Sequence, residues 1–492
     1  MFGRVKSLDA ILATAEKKSL HRTLGAFQLT LLGIGAVIGT GIFVLTAEAA
    51  QKAGPGMMVS FVIAAVVCAA AGLCYAELSA MVPVAGSAYT YTYAVMGEVF
   101  AWTVGWALVL EYALGASAVA VGWSHHFTGL LHDFAGINLP TALINAPNDG
   151  GVINLPAVGI SMLITWLLVV GTSESARVNA ILVLVKLAAL ALFLALALPA
   201  MKAAPFHPFM PTGMTGVAGA AASIFFAYVG FDAVSTAAEE TINPQRNVPI
   251  GLIGSLLICT VIYMLVAAGA IGAIGAQPVF DAAGHVFDPG SMALTQRCDA
   301  IVAGGAPQPM VCSHEALVLV MQRMGHFQIG NLVALAATIA LPSVVLMMMF
   351  GQTRVAFVMA RDGLFPPIFA KIHPRYKTPY VITIGTGLFA LVFAGFLPVG
   401  KLADLSNAGT LYAFACVAVA VLVLRRTDPT RKRSFRTPMV WFISPLAVVG
   451  SFYLYFSLPM FTMVFFPVWG AVGLVVYFTY SRSRSHVGLG LE

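Results

Sequence analysis

The chain has 492 residues, 59% of them hydrophobic and only 9% charged, where soluble domains carry roughly a quarter. Twenty-six Lys and Arg and 20 Asp and Glu cannot cover a water-soluble surface of this size, and the mean hydropathy of +0.90 agrees. The composition excludes a disordered chain, a disulfide scaffold and a cytosolic enzyme. With no alternating strand pattern, it leaves an all-α membrane protein.

A spanning helix needs about 20 apolar residues, because its backbone must be satisfied internally. After a polar, basic tail at 1–25, which has no cleavable-signal pattern, twelve such stretches follow: 26–49, 57–82, 99–131, 152–171, 177–200, 214–240, 248–275, 329–358, 379–397, 401–424, 440–458 and 460–480. Residues 481–492 form a second tail. With both termini cytoplasmic, 20 of the 26 Lys and Arg fall in inner segments and five (Lys52, Lys202, Arg297, Arg323, Lys401) in outer ones. That bias predicts a multi-pass protein of the cell's inner (plasma) membrane. The pI near 9.0 is then an orientation signal and implies no nucleic-acid partner.

Residues 132–151 and the Gly- and Pro-rich 276–328 are long outer loops. The inner segments 359–378 and 425–436 are basic and read as a solvated face, with anionic headgroups the less favoured alternative. Cys68, Cys74, Cys259 and Cys416 lie within spans as packing residues. Cys298 and Cys312 share an outer loop, where an oxidising compartment predicts a disulfide. His314 and its acidic neighbours match no common ligand spacing, so no metal is expected, and no cofactor motif is present.

The first span contains Gly33-Ile34-Gly35-Ala36-Val37-Ile38-Gly39-Thr40-Gly41. Each glycine costs a continuous helix roughly 1 kcal/mol relative to Ala. Close packing through the Gly35–Gly39 pair explains two of the four. Unwinding at Gly39 explains the rest, and it frees N–H groups to face an anion such as a carboxylate. The sixth span offers a counterpart in Phe225–Ala233, with Gly230 as the break, Asp232 as an acid that bonds freed N–H groups, and aromatics including Phe231 to close over a ligand. Interrupted helices in corresponding positions of two halves, 26–200 and 214–424, point to a central site that suits a zwitterionic amino acid.

These residues resemble the amino acid–polyamine–organocation transporter superfamily, and within it the cationic amino acid transporter family. The resemblance rests on GIGAVIGTGIF at 33–43, GTSESARVNAILVLVK at 171–186, FFAYVGFDAVSTAAEETINPQRNVPIGL at 225–252 and GQTRVAFVMARDGLFP at 351–366. It implies twelve helices in the 5+5 inverted-repeat fold shared with the sodium-coupled leucine transporter, with 440–480 outside the repeats, acting as a monomer. It also implies that Val37, Thr40 and Gly41 cradle the substrate carboxylate and that the carbonyls of Phe226, Ala227 and Val229 receive the ammonium. Leu341 would face the side-chain subsite. Two departures stand out: vertebrate members carry 14 spans, and the outer loop 276–328 is longer than bacterial relatives usually need.

Lys186 lies in an apolar stretch, where a mid-bilayer charge costs at least about 2.5 kcal/mol. Snorkelling to the cytoplasmic interface is one reading. The resemblance implies the other, a lysine standing where related carriers hold sodium, with Ser343 beside it and protons as the coupling ion. Glu111, the one acid in 106–118, either carries a proton or bonds between helices. Glu77, Glu239 and Glu240 are expected at an inner gate with Arg177 or Arg246. The function that follows is proton-coupled uptake of small neutral or cationic L-amino acids. The alternatives are a sodium-coupled or exchange-type carrier, or a substrate sensor. No motif for a membrane enzyme appears.

Overall fold

In a computed structural model, residues 4–6, 24–82, 86–171 and 176–490 are described, the side chains of 176, 177, 233, 236 and 239 excepted. Most of the tail at 1–25 and the Arg177 and Glu239 side chains of the expected inner gate therefore lie outside the described residues. No strand occurs among the described residues. Two isolated bridges do, one of which joins Leu24 to Thr241.

The first apolar segment is three helices, α1 (Ala26–Val37), α2 (Thr40–Phe43) and α3 (Leu45–Ala53). A 3-10 turn at Gly54–Gly56 leads into α4 (Met57–Met81). A short α5 (Ser87–Val95) precedes α6 (Glu98–Ala135), which stops at Gly136 in the left-handed conformation. Then come α7 (Leu155–Val170), α8 (Ala176–Ala197) and α9 (Gly213–Ile224). After a second interruption follow α10 (Pro244–Ile274), α11 (Met292–Ala303), α12 (Ala316–Arg323) and α13 (Phe327–Arg361). The chain closes with α14 (Tyr380–Phe396), α15 (Val399–Thr427), α16 (Val440–Tyr455) and α17 (Met460–Val476).

Among the described residues, seven helical stretches are long and apolar enough to cross a membrane, and five more are apolar but shorter. The chain is thus a multi-pass membrane protein. Burial orders the helices: α6 is enclosed along most of its length, whereas α17 is nearly bare. On α17, Phe461, Val464, Val468, Val472 and Val475 recur every three to four residues and are all exposed, which is the face a lipid solvent wants. Helix α6 packs between α13 and α15, and α10 packs between α1 and α4. The segment 276–328 carries more regular structure than its Gly and Pro content suggests, since α11 and α12 lie within it.

Candidate functional site

Both glycine-marked segments are interrupted. Helix α1 ends at Val37; Ile38 (φ −74°, ψ 92°) and Gly39 (φ −137°, ψ −150°) are extended, and the helix restarts at Thr40. Helix α9 tightens into a 3-10 turn over Phe225–Tyr228, Val229 is extended, and Gly230 has φ +110°. The two breaks touch. A Cβ on Gly41 would sit 2.3 Å from Ala227 Cα, and one on Gly230 would sit 2.9 Å from the Ala36 carbonyl oxygen. Both positions exclude any side chain.

The glycines divide between the two readings offered above. Gly33 admits Ser255 and Val234, and Gly35 admits Val183 and Asn179, so these two serve close packing. Gly39 and Gly41 belong to the break. Packing and unwinding both occur, at different residues.

A break frees carbonyls as well as N–H groups, and in a bilayer each must find a donor. Helices that do not break supply them. Lys186, fully buried on α8, donates from Nζ to the Gly35 carbonyl at 2.9 Å. An ammonium at the C-terminal end of α1 also meets the negative end of that helix dipole. Lys186 therefore points to the break and does not reach for the interface as snorkelling requires. Ser343, also buried, donates to the Ala340 carbonyl of its own helix.

The Tyr263 hydroxyl on α10 lies 2.9 Å from the carbonyls of both Val37 and Ala227, so its one hydrogen is shared between the two breaks. The Asn407 amide on α15 donates to the carbonyls of Ala222 at 2.8 Å and Ser223 at 3.3 Å. Of the three carbonyls expected to take an ammonium, Phe226 accepts the Val229 N–H at 3.1 Å and Ala227 accepts Tyr263. Each retains a second lone pair.

Thr40 is buried, and its hydroxyl has no hydrogen-bond partner among the described residues. It stands against Gly122 of α6, where a Cβ would lie 2.1 Å from Thr40 Cγ2. Val37, Val229 and Leu341 are buried. Phe231 packs edge-on against Tyr75 and at a tilt on Phe414. Asp232 accepts from Tyr112 Oη at 2.7 Å, a partner sequence reasoning missed.

Glu111 is 1% exposed, yet neither carboxylate oxygen has a hydrogen-bond partner among the described residues. The nearby Thr410 hydroxyl donates to the Ser406 carbonyl at 3.3 Å instead. Between the two helices, the Ser406 hydroxyl of α15 donates to the Glu111 backbone carbonyl at 2.9 Å.

Of the acids expected at an inner gate, the side chains of Glu77 and Glu240 are described. Arg425 grips Glu77 with two bonds, Nε to Oε1 at 2.7 Å and Nη2 to Oε2 at 2.9 Å. Arg433 Nε lies 3.2 Å from Oε1, and the Thr437 N–H donates to Oε2 at 2.8 Å. Glu240 pairs with Arg354 at 3.2 Å. Neither of these acids meets Arg246 in the ion pairs among the described residues. The run 425–436 is accordingly not just a solvated face, since Arg433 is buried on Glu77. Two further acids that the sequence did not single out sit in buried networks: Glu98 with Tyr93, Tyr477 and Ser485, and Asp362 with Tyr89 and Lys6.

The sulfurs of Cys298 and Cys312 are at disulfide-bonding distance with Cα atoms 5.8 Å apart, and the other four cysteines are buried. Burial pushes the Asp149 carboxyl up to about 6 against the opposing pull of Lys401, and pushes Glu315 up to about 8 with help from Asp133.

Two touching helix breaks, braced by side chains from intact helices, define a multi-pass membrane protein that holds non-helical polar backbone in its buried interior. In a bilayer such backbone is tolerated only where it is buried in protein or lines a water-filled cavity. The family model for amino acid permeases matches residues 24–480, and the chain belongs to that family. It is 46% identical over 487 residues to a branched-chain amino acid permease of Bacillus subtilis, and 43% identical over 485 residues to a methylthioribose transporter of the same organism; each alignment covers 98% of both chains. It is 35% identical over 441 residues to a vacuolar cationic amino acid transporter of Arabidopsis thaliana, covering 87% of this chain and 63% of that one.

Proposed function

We propose that the chain is a proton-coupled secondary permease for neutral aliphatic L-amino acids, working by alternating access. In this reading it has twelve spans, with inverted repeats at 26–200 and 214–424, residues 440–480 outside them, and both termini in the cytoplasm. The observation that carries the reading is the pair of touching breaks with Lys186 Nζ on the Gly35 carbonyl. The substrate carboxylate takes the freed N–H groups around Thr40 and Gly41 together with the Thr40 hydroxyl. The ammonium takes the remaining lone pairs of the Phe226, Ala227 and Val229 carbonyls. Phe231 and Leu341 bound the side chain. The names of the relatives favour a branched aliphatic substrate, with alanine next and arginine or lysine after it.

Coupling follows from chemistry. A protonated Lys186 holds the end of α1 against α8, and loss of that proton withdraws the charged donor, so protonation state and the position of the break are linked. Glu111, a buried carboxyl beside the Thr410 hydroxyl, is the second group able to take a proton. The test is uptake into proteoliposomes of labelled leucine, alanine, arginine and methylthioribose, driven in turn by a pH gradient and by a sodium gradient. Leucine accumulation that follows the pH gradient without sodium supports the proposal. Accumulation only with sodium, only by exchange, or binding without transport overturns it.

A further inference from the structure

Beneath the outer loop lies a cavity of about 110 Å³. Its floor includes Val44 and Glu48, one to two helical turns outward from Thr40, and its roof includes both Cys298 and Cys312. The roof is fastened to α3. Gln51, fully buried there, donates from Nε2 to the carbonyls of Val279 at 2.9 Å and Phe287 at 3.1 Å, and accepts the Val279 N–H on Oε1 at 2.9 Å.

Three carboxylates from three separate segments line this space: Glu48, Asp149 and Asp299. None has an ion pair within 4.0 Å among the described residues. Lys52, one turn from Glu48, is engaged by Ser223 at 2.5 Å and Asp404 at 3.7 Å, and Lys401 is exposed. Asp149 is 6% exposed, and its Oδ1 has no hydrogen-bond partner among the described residues. That oxygen faces the cavity wall at Gly290, where a Cβ would be 3.5 Å away. A buried carboxylate oxygen without a donor is costly unless a ligand or water supplies one.

We propose that this cavity is an outer binding site for the ammonium group of an amino acid or small primary amine, with Asp149 as its principal acceptor and Glu48 and Asp299 supplying the field. It lies between the outer surface and the broken helices, so a substrate would meet it first. This role rests on the permease reading, but occupancy of the site does not.

The test uses the full-length protein carrying Thr295→Cys, a substitution on α11 at the cavity wall. The cationic thiol reagent methanethiosulfonate ethyltrimethylammonium should react roughly tenfold faster than its anionic sulfonate counterpart, after correction for their rates with a free thiol. L-leucine and isoamylamine, which carry the ammonium, should protect the thiol, while isovalerate should not. Asp149→Asn should weaken the charge preference, part of which Glu48 and Asp299 sustain, and remove the protection, and Asp149→Glu should restore both. Equal rates, equal protection by isovalerate, or an unaltered Asp149→Asn profile overturns the proposal. Failure to react at both Thr295→Cys and Val302→Cys also overturns it, since an entry site must admit the reagent. Protection without any uptake in proteoliposomes would sink the permease reading alone, and uptake without charge preference would sink this one alone.

Discussion

Replacing Lys186 by Met keeps most of the stem volume and removes the charged donor from the Gly35 carbonyl. The bond lost is charge-assisted, fully buried and 2.9 Å long, which places its contribution at about 1.5–3 kcal/mol. The functional effect should be larger than that stability cost, because the driving force itself is removed. For one proton per substrate, each pH unit supplies about 1.4 kcal/mol, a tenfold accumulation. A gradient of about 1.5 units should let the wild type concentrate leucine about 30-fold, whereas Lys186→Met should level off near onefold. Counterflow, which needs no net proton movement, should stay within a few-fold of wild type and show that the variant is folded. Lys186→Met proteoliposomes that still concentrate leucine with the pH gradient would refute the assignment. Loss of both activities with an unchanged melting temperature would mean that Lys186 only shapes the binding site.

Other residues carry sharp expectations. Gly41→Ala should abolish uptake, since its Cβ would fall 2.3 Å from Ala227 Cα. Gly39→Ala, whose nearest neighbour is a Val344 methyl at 3.4 Å, should keep most activity; equal loss at both in a parallel uptake assay would contradict the geometry. Glu77→Gln strands Arg425 and Arg433 and should cost about 3–5 kcal/mol, read as a lowered melting temperature with KM largely unchanged. The cation preference at Thr295→Cys should depend on pH. Burial raises the Asp149 carboxyl to about 6, so it is ionised above that value and neutral below it. The groups around it are Glu48 from α3, Asp299 from α11, His314 from the loop and the opposing Lys401. The preference should be full at pH 7.5 and weaken as pH falls through 6 to 5; a rise on acidification would contradict the assignment.

What could be read in advance was whatever announces itself locally. Four glycines in nine residues, and Gly230 among aromatics, marked both breaks because helix interiors rarely tolerate such a run. Lys186 stood out as one charge in an apolar segment. Its partner did not, because a backbone carbonyl freed by a distant break leaves no trace in the side-chain pattern. Tyr263 and Asn407 were missed for the same reason: each is a single polar residue in a helix where many are bland. The Glu77 network joins residues about 350 positions apart, a pairing that no local pattern in the sequence marks. Helices α11 and α12 were hidden by the Gly and Pro that flank them, since segments of 12 and 8 residues give little periodicity to detect.

The donors at the two breaks are not equivalent, and the difference bears on how the breaks can move. Gly35, Val37, Ala222, Ser223 and Ala227 all expose carbonyls to side chains of α8, α10 and α15. Each carbonyl left bare in a bilayer would cost several kcal/mol, so the broken segments stay where these donors are. The Asn407 amide has no proton to lose under physiological conditions, and the Tyr263 hydroxyl ties the two breaks to each other, which favours their moving as a unit. Lys186 alone among the three is a cation, and it acts on the half-helix that precedes the first break. A change in its protonation alters the hold on α1 and leaves the Tyr263 and Asn407 braces intact. Because Tyr263 also holds Val37, at the end of that same half-helix, Lys186 is one of two holds on the segment before Gly39, and the other ties it to the second break at Ala227.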